Sequence, residues 1–260
     1  MLFLSYWVFK DCFNLNILLT RALKQVKPLQ NLVSQCGYQP ILFPTLEIKP
    51  LNSTPLKSQY DALIFISVNA VEYGLEVFKN LEQQCKIFAV GAATANKLSE
   101  YALKVDAFPS KKASSEALLA MPEITALADK DILIFRGKGG RETLREGLGN
   151  RNIVEYVEIY ERVECDVTTL HRHALLQFLQ SNQGVIMATS VENLSALLSI
   201  VKQIDGNILN SIKCYPLVVL SERIKTFAKL EGFTQVEVAT KTNDEGLLEA
   251  LTSFVNLTKP

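Results

Sequence analysis

The chain reads as α/β, two doubly wound domains with parallel sheets, and three observations carry that reading. The stretch IFISVNAVEYG (Ile64–Gly74) returns as IMATSVENLSA (Ile186–Ala196). Each is a short apolar run that ends in a small hydroxyl residue, Ser67 or Ser190, and passes straight into helix-like sequence. The runs are continuous rather than alternating, which is the pattern of strands buried on both faces. A length of 260 residues also accommodates two self-sufficient cores of about 100–150 residues each.

Taken in order, strands are expected at Ile17–Thr20, Ala62–Ile66, Ile87–Val90, Ile132–Phe135, Val185–Ala188 and Leu217–Leu220. Helix starts follow them at once. Ser67, Ser190 and Ser221 stand where an N-cap hydroxyl accepts a first-turn amide, and Ser114 before Ala117, with Asn243 or Asp244 before Glu245, has the same chemistry. KIFAVGAATANKL (Lys86–Leu98) runs without a gap against the segment holding VVLSERIKTFA (Val218–Ala228). The same spacing lays SSEALLAM (Ser114–Met121) on NDEGLLEA (Asn243–Ala250). A further pair sets LLTRALKQVKPL (Leu18–Leu29) against IFRGKGGRETL (Ile134–Leu144), matching Arg21 with Arg136 and Leu29 with Leu144. From Ile17 onward the chain is therefore two copies of one four-part pattern. Strands alternating with helices imply parallel sheets joined by right-handed crossovers, with helices on both faces.

Composition excludes several classes. Hydrophobic residues at 48% and charged residues at 21% are ordinary for a globular protein and argue against disorder or membrane embedding. Lys plus Arg equals Asp plus Glu at 27 each, so no nucleic-acid or membrane partner is expected, and an anionic ligand must meet a local cluster. The five cysteines, Cys12, Cys36, Cys85, Cys165 and Cys214, include no CxxC pair. Neither a disulfide framework nor a zinc site follows, and a reducing cytoplasm fits. Residues 1–16, MLFLSYWVFKDCFNLN, lack a basic n-region and a small-residue cleavage site, and their uncharged run is too short to span a bilayer. They read as an N-terminal extension.

Doubly wound sheets bind ligands beyond the carboxyl ends of their strands. Thr20, Arg21, Ser67, Gly91 through Thr94, Arg136 through Arg141, Ser190 and Ser221 through Arg223 all follow a strand end directly. Any one of them suits an ordinary cap or turn; their recurrence at every strand end points to a binding site. RGKGGRE lacks the spacing of a P-loop or a dinucleotide fingerprint. Its Arg136, Lys138 and Arg141 beside a helix start nevertheless suit a carboxylate or phosphate. His171 and His173, the only histidines, point apart on a helix at this spacing and read as a solvated face rather than metal ligands. No Ser–His–Asp set can be drawn from them. An enzyme built on this sequence would lean on hydroxyls, backbone amides and a phenol. Tyr160, in the alternating segment VEYVEIYERV, is the candidate phenol, and Tyr156 falls on the same face under strict alternation, so the period alone leaves the choice open.

Seven segments in this order, ISVNAV, AVGAATANKL, ASSEALL, FRGKGGRETL, VEIYER, ATSVENL and SERIKTFAKLEGF, resemble the uroporphyrinogen-III synthase family. The resemblance runs from Ile17 to Val255. It implies two α/β domains joined by a two-stranded antiparallel connection, and it corrects the simple tandem order. Domain 1 would be discontinuous, 17–48 with 165–260, domain 2 would be the inserted 53–157, and 47–51 with 158–164 would connect them. A cleft between the domains would hold the active site. The implied reaction is that of a lyase in porphyrin and haem biosynthesis, which closes linear hydroxymethylbilane to uroporphyrinogen III with inversion of the last pyrrole ring, without cofactor or metal. Tyr160 matches the tyrosine proposed to assist departure of the hydroxyl. Ser67 and Ser190 match cleft hydroxyls, and Thr94 matches the threonine of the Gly91 turn. Backbone amides at these turns would hold the substrate's carboxylates, and the strand-end pattern adds Thr20, Arg21, Arg136 and Gly137 to the substrate-binding set. Where many relatives have a second Gly-x-x-Thr-Ala turn this chain has LSERIK, so Ser221 and Arg223 would take its place. The resemblance further implies a cytoplasmic monomer that contacts hydroxymethylbilane synthase transiently. The alternatives are a two-lobed small-anion-binding protein and a non-catalytic homologue.

Overall fold

The computed structural model describes residues 15–82, 84–181 and 183–257. The extension expected over 1–16 lies outside them as far as residue 14, and its last residue already belongs to a strand. The chain opens with β1 (Asn16–Leu19), α1 (Leu23–Gln35) and β2 (Gln39–Leu42). It continues through β3 (Leu46–Pro50), β4 (Ala62–Phe65), α2 (Val68–Lys79), β5 (Lys86–Ala89), α3 (Ala92–Glu100), α4 (Ser115–Leu119) and α5 (Pro122–Thr125). Next come β6 (Asp131–Gly137), α6 (Thr143–Gly149) and β7 (Ile153–Glu164). The final stretch holds α7 (Thr169–Gln180), β8 (Gly184–Ala188), α8 (Val191–Ile204), a 3₁₀ turn (Gly206–Ile208), α9 (Leu209–Lys213), β9 (Leu217–Val219), α10 (Glu222–Leu230), β10 (Val236–Val238) and α11 (Asp244–Leu257).

These elements form two compact units. One takes the described residues up to Glu47 and from Val163 onward, and the other runs from Ile48 to Arg162. The sheet of the first has the order β10-β9-β8-β1-β2 and that of the second β3-β7-β6-β4-β5. The N-terminal strand β1 lies in the first sheet, parallel to both β2 and β8. Both sheets bury two faces, as their continuous apolar strands require. In the first unit Leu18, Ile186 and Val219 meet Phe178, Leu197 and Ala228 on one face, while Ile17, Leu19 and Met187 meet Leu29, Val33 and Leu251 on the other. In the second, Phe65 and Phe135 stack 4.3 Å apart beneath Val71 and Leu98, and Ile64 and Ile134 pack on Leu118 and Leu144 on the opposite side. Each such aliphatic side chain contributes about 1.5–3 kcal/mol by leaving water.

The repeat survives in three dimensions. The row β9-β8-β1-β2 corresponds to β5-β4-β6-β7, and the pairing of Val218 with Glu237 has its counterpart in an isolated parallel bridge of Phe88 with Ala107. The outer strand β10 is thus reduced to a single bridge in the second unit. The match of Leu29 with Leu144 holds, for both are buried, and so are Val33 and Leu148 one helical turn on. The alignment of Gly91 needs a shift. The spacing that lays Ser114 on Asn243 sets Gly91 against Leu220, yet the residue that stands at the N-cap of α10, as Gly91 does for α3, is Ser221.

Capping decides the helix starts. Oγ of Ser67, Ser114 and Ser190 accepts the amide of Ala70, Ala117 and Asn193, each at 3.1 Å. At α11 the cap is Asn243, whose Oδ1 accepts Gly246 N–H at 2.9 Å. Ser221 occupies the N-cap of α10 without accepting a helix amide. His171 overturns its expected solvated position, being only 2% exposed. Its Nδ1 accepts the amide of Thr168, 3.1 Å away, which closes a capping box at the start of α7. Its Nε2 therefore carries the proton and donates to Pro44 O at 2.7 Å. Burial follows because the ring packs edge-on against Phe43, 5.0 Å between centres, and bonds the neighbouring Pro44 carbonyl. His173 is exposed.

The crossings between the units fall within β3 and β7. Cys165 N–H bonds Thr45 O in the first unit and Leu51 N–H bonds Ile159 O in the second. One partner rises from 45 to 51 as the other falls from 165 to 159, which is the running order of an antiparallel pair.

Candidate functional site

The choice between Tyr156 and Tyr160 is made by an irregularity in β7. Arg136 of β6 pairs with Glu158, but the next residue, Gly137, pairs with Tyr160. One extra residue, Ile159, is accommodated there, and a bulge of this kind turns the following side chains to the other face. Tyr156 consequently lies on the α4–α6 side and Tyr160 on the α2–α3 side. Tyr156 is held between the guanidinium groups of Arg136 and Arg145, at 4.2 and 4.0 Å from its ring centre.

Tyr160 is 4% exposed, and its Oη lies 3.1 Å from Ser67 Oγ at the carboxyl end of β4. Its ring packs against Gly137 of β6. A Cβ on Gly137 would come within 2.5 and 2.6 Å of two ring carbons, so this glycine is the seat of the ring. Tyr73, from α2, flanks it with ring centres 6.0 Å apart and donates its own hydroxyl to Ile48 O at 3.3 Å. Ser67, Gly137 and Tyr160 are therefore brought together as one cluster. Gly91 closes the neighbouring strand end, where a Cβ would meet that of Ala113 at 2.4 Å. Thr94 is buried in the first turn of α3.

The cations of the RGKGGRE loop, expected to cradle an anion, are paired within the protein. Arg136, with its side chain 4% exposed, donates from Nη1 to Glu142 at 2.9 Å and from Nη2 to Gly139 O. Gly139 and Gly140 make this fold-back possible with φ of +73° and +107°, a region costly to residues with a Cβ. Lys138 meets Glu161 at 3.2 Å and Arg141 meets Glu116 at 2.6 Å. Each cation of the loop is matched by a carboxylate: Glu142 of the loop itself for Arg136, Glu161 of β7 for Lys138 and Glu116 of α4 for Arg141.

In the first unit the strand ends are tied together by a network that sequence reasoning missed at its centre. Asn193, 3% exposed, donates from Nδ2 to Thr20 O at 2.8 Å and to Thr45 Oγ1 at 2.6 Å. Thr20 Oγ1 contacts Asn193 Oδ1 and lies 2.7 Å from Met187 O. Thr20 is 1% exposed and Thr45 0%, so their hydroxyls serve the fold. Asn193 sits inside ATSVENL, but an asparagine in a first helical turn carries no sequence signal of burial. Arg21 is equally committed, through a two-pronged pair with Asp244 at 2.7 and 3.0 Å. Ser190, Ser221 and Arg223 remain. Both serines are half-buried at strand ends, and Arg223 is exposed with no ion pair to any described residue.

Among the described residues no group of three His, Cys, Asp or Glu could hold a metal ion. A cleft of about 240 Å³ opens at the carboxyl ends of β4, β5 and β6, lined by Ile66, Val90, Ser114, Ile134, Gly140 and Tyr156 among others.

Fold and site together define a two-unit, doubly wound α/β protein whose polar groups gather where its parallel strands end. The model of the uroporphyrinogen-III synthase HemD family matches residues 27–249, and the chain belongs to this family. It is 26% identical over 249 residues to the uroporphyrinogen-III synthase of Escherichia coli, covering 91% of this chain and all of that protein. The Salmonella typhimurium protein of the same name is 32% identical over 167 residues, covering 64% of this chain and 66% of its own. Solved structures share the fold. The Helicobacter pylori uroporphyrinogen-III synthetase superposes with a TM-score of 0.63 at 19% identity, covering 92% of this chain and 99% of that one. A Thermus thermophilus uroporphyrinogen III synthase mutant gives 0.54 at 14% identity, covering 94% and 99%.

Proposed function

We infer that this chain is a cyclising lyase of tetrapyrrole biosynthesis that closes hydroxymethylbilane to uroporphyrinogen III, with Tyr160 as the group that assists departure of the hydroxyl. The observation that carries the role of Tyr160 is its phenol, seated on Gly137 and 3.1 Å from Ser67 Oγ at the strand ends. In the reaction the carbon–oxygen bond breaks with its electron pair going to oxygen, and the phenol proton completes a water molecule. The substituted carbon of ring D gives its electron pair to the methylene of the azafulvene cation, which forms a spiro intermediate. The older bond from that carbon to the bridge from ring C then breaks, and the bridge is recaptured by the free α-carbon of ring D so that the ring is inverted. Loss of the proton on that carbon restores the pyrrole and returns a proton to the phenolate. The substrate ionises readily by itself, so the protein contributes orientation and preorganised polarity.

Substrate carboxylates would be held by Ser190, Ser221, Arg223, Thr94 and the amides of the Ser67 and Gly91 turns. Thr20, Arg21 and Arg136 act by bracing those turns, since their polar atoms are already bonded within the protein. The rival reading as a small-anion binder is weakened by the same pairing, for the RGKGGRE cations meet carboxylates. We further read the chain as a cytoplasmic monomer that receives its substrate by transient contact with hydroxymethylbilane synthase. The four cysteines among the described residues are free thiols, which suits a reducing compartment, and no helix among those residues is long and apolar enough to cross a membrane.

Replacing Tyr160 with Phe tests the chemistry. General-acid assistance is worth about 10²–10⁴-fold, and an easily ionised substrate belongs at the lower end. The variant should lose about a hundredfold in kcat with little change in KM, and the uninverted isomer should rise as released substrate closes spontaneously. Full activity with unchanged isomer purity would remove the phenol from the mechanism.

A further inference from the structure

Ser67 serves two partners with one oxygen. Its Oγ accepts Ala70 N–H at 3.1 Å to cap α2 and lies 3.1 Å from Tyr160 Oη. A serine hydroxyl offers one proton and two lone pairs, and the cap occupies one lone pair. What is left for the phenol is one lone pair and one proton. If Tyr160 donated to Ser67, its proton would be consumed inside the protein. If Ser67 donates instead, the phenol proton stays available and the phenol oxygen gains a hydrogen bond that strengthens as negative charge develops there.

We propose that Ser67 is a positioning residue for the reaction, donating its proton to Tyr160 Oη and linking the positive end of α2 to the phenol so that the phenol O–H points at the departing hydroxyl. This rests on the reading of Tyr160 given above. Three features of the site hold the arrangement. Ser67 is the sole hydrogen-bond partner of Tyr160 Oη among the described residues. Gly137 and Tyr73 restrict the ring from two sides, so Oη cannot swing to another partner without leaving its seat. Finally, α2 spans 12 residues and has no acidic side chain in its first turn, leaving the partial positive charge of its free amides uncompensated where the Ser67 oxygen sits. The family pattern marks Ser67 as one hydroxyl among several that hold substrate; the geometry assigns it to the rate of the chemical step.

The test is a double-mutant cycle in the full-length protein, with steady-state kinetics on hydroxymethylbilane and chromatographic separation of the product isomers. Ser67→Ala should lower kcat by about ten- to a hundredfold with KM nearly unchanged. Ser67→Gly, which keeps a tolerated N-cap, should match it, and Ser67→Thr should recover most of the rate. Ser67→Asp caps α2 well but can only accept, so it draws the phenol proton onto itself and should fall below Ser67→Ala. In a Tyr160→Phe background Ser67→Ala should cost nothing further. An equal loss in both backgrounds, a change confined to KM, or full activity in Ser67→Asp would overturn the proposal while leaving the role of Tyr160 intact. A fully active Tyr160→Phe would instead remove the reading on which it rests.

Discussion

A Cβ at position 137 would stand 2.5 Å from the Tyr160 ring, closer than packed side chains tolerate. Gly137→Ala should therefore push the ring off its seat and away from Ser67. Overpacking of this sort costs about 1–3 kcal/mol, which thermal or denaturant unfolding would register. The kinetic signature is more telling: kcat should fall toward that of Tyr160→Phe, with loss of isomer purity, because the phenol is present but misplaced. Unchanged kinetics would mean that the ring has room to relax in place. At the same scale Asn193 and His171 are residues whose type misleads. Each is polar, yet each is buried because every hydrogen-bonding atom of its side chain has a partner: His171 bonds its own helix cap at Thr168 and the distant Pro44, and Asn193 bonds Thr20 and Thr45.

The elements carry a second lesson, in which equivalent positions of the two copies do different work. Arg21 and Arg136 align, but Arg136 folds its own loop, whereas Arg21 grips Asp244 in the first turn of α11. That pair ties the end of β1 to the last helix of its unit and places a carboxylate at a helix N-terminus, where it is favoured. Both side chains are 18% exposed, so solvent screens the pair only partly. A double-mutant cycle of Arg21→Ala and Asp244→Ala should give a coupling of about 1 kcal/mol, read from urea unfolding and declining as salt is added. Additive single effects would show that the contact contributes nothing as a pair.

For the whole molecule the decisive fact is that one unit is continuous in sequence and the other is not. Residues 48–162 contain β4, β5 and β6 whole and most of β3 and β7, with the helices that cover both faces of their sheet. A fragment of these residues should fold alone, with cooperative unfolding by circular dichroism and slow amide exchange in β4 and β6. Residues 163–260 lack β1, which lies fully buried between β2 and β8. Without it the edge of β8 is uncovered, and that fragment should aggregate or stay unfolded. A cooperatively folded 163–260 fragment would show that the N-terminal segment is dispensable to its unit.

Much was legible without coordinates because it depends on local chemistry. Continuous apolar runs marked β1, β4, β5, β6, β8 and β9, and serines before helices marked caps at Ser67, Ser114 and Ser190, since burial on two faces and the need to satisfy first-turn amides are both written in neighbouring residues. The strands that escaped are those with weak local signals: β2 begins Gln-Pro and β10 breaks its two valines with Glu237. The site divides in the same way. The order of motifs pointed to Tyr160 and Ser67, but strict alternation left Tyr156 on the same face as Tyr160. Only pairing with β6, which forces the extra residue at Ile159, sends the two rings to opposite sides of the sheet. Sequence equally named Thr20, Arg21 and Arg136 as binding groups, because a strand end is where such residues meet ligands. Their hydrogen bonds are instead taken by partners remote in sequence, such as Asn193 and Asp244, or by the fold-back of a glycine loop. A local pattern determines which groups a chain can offer at a strand end; whether those groups remain free is decided by long-range contacts that exist only once the sheet has formed.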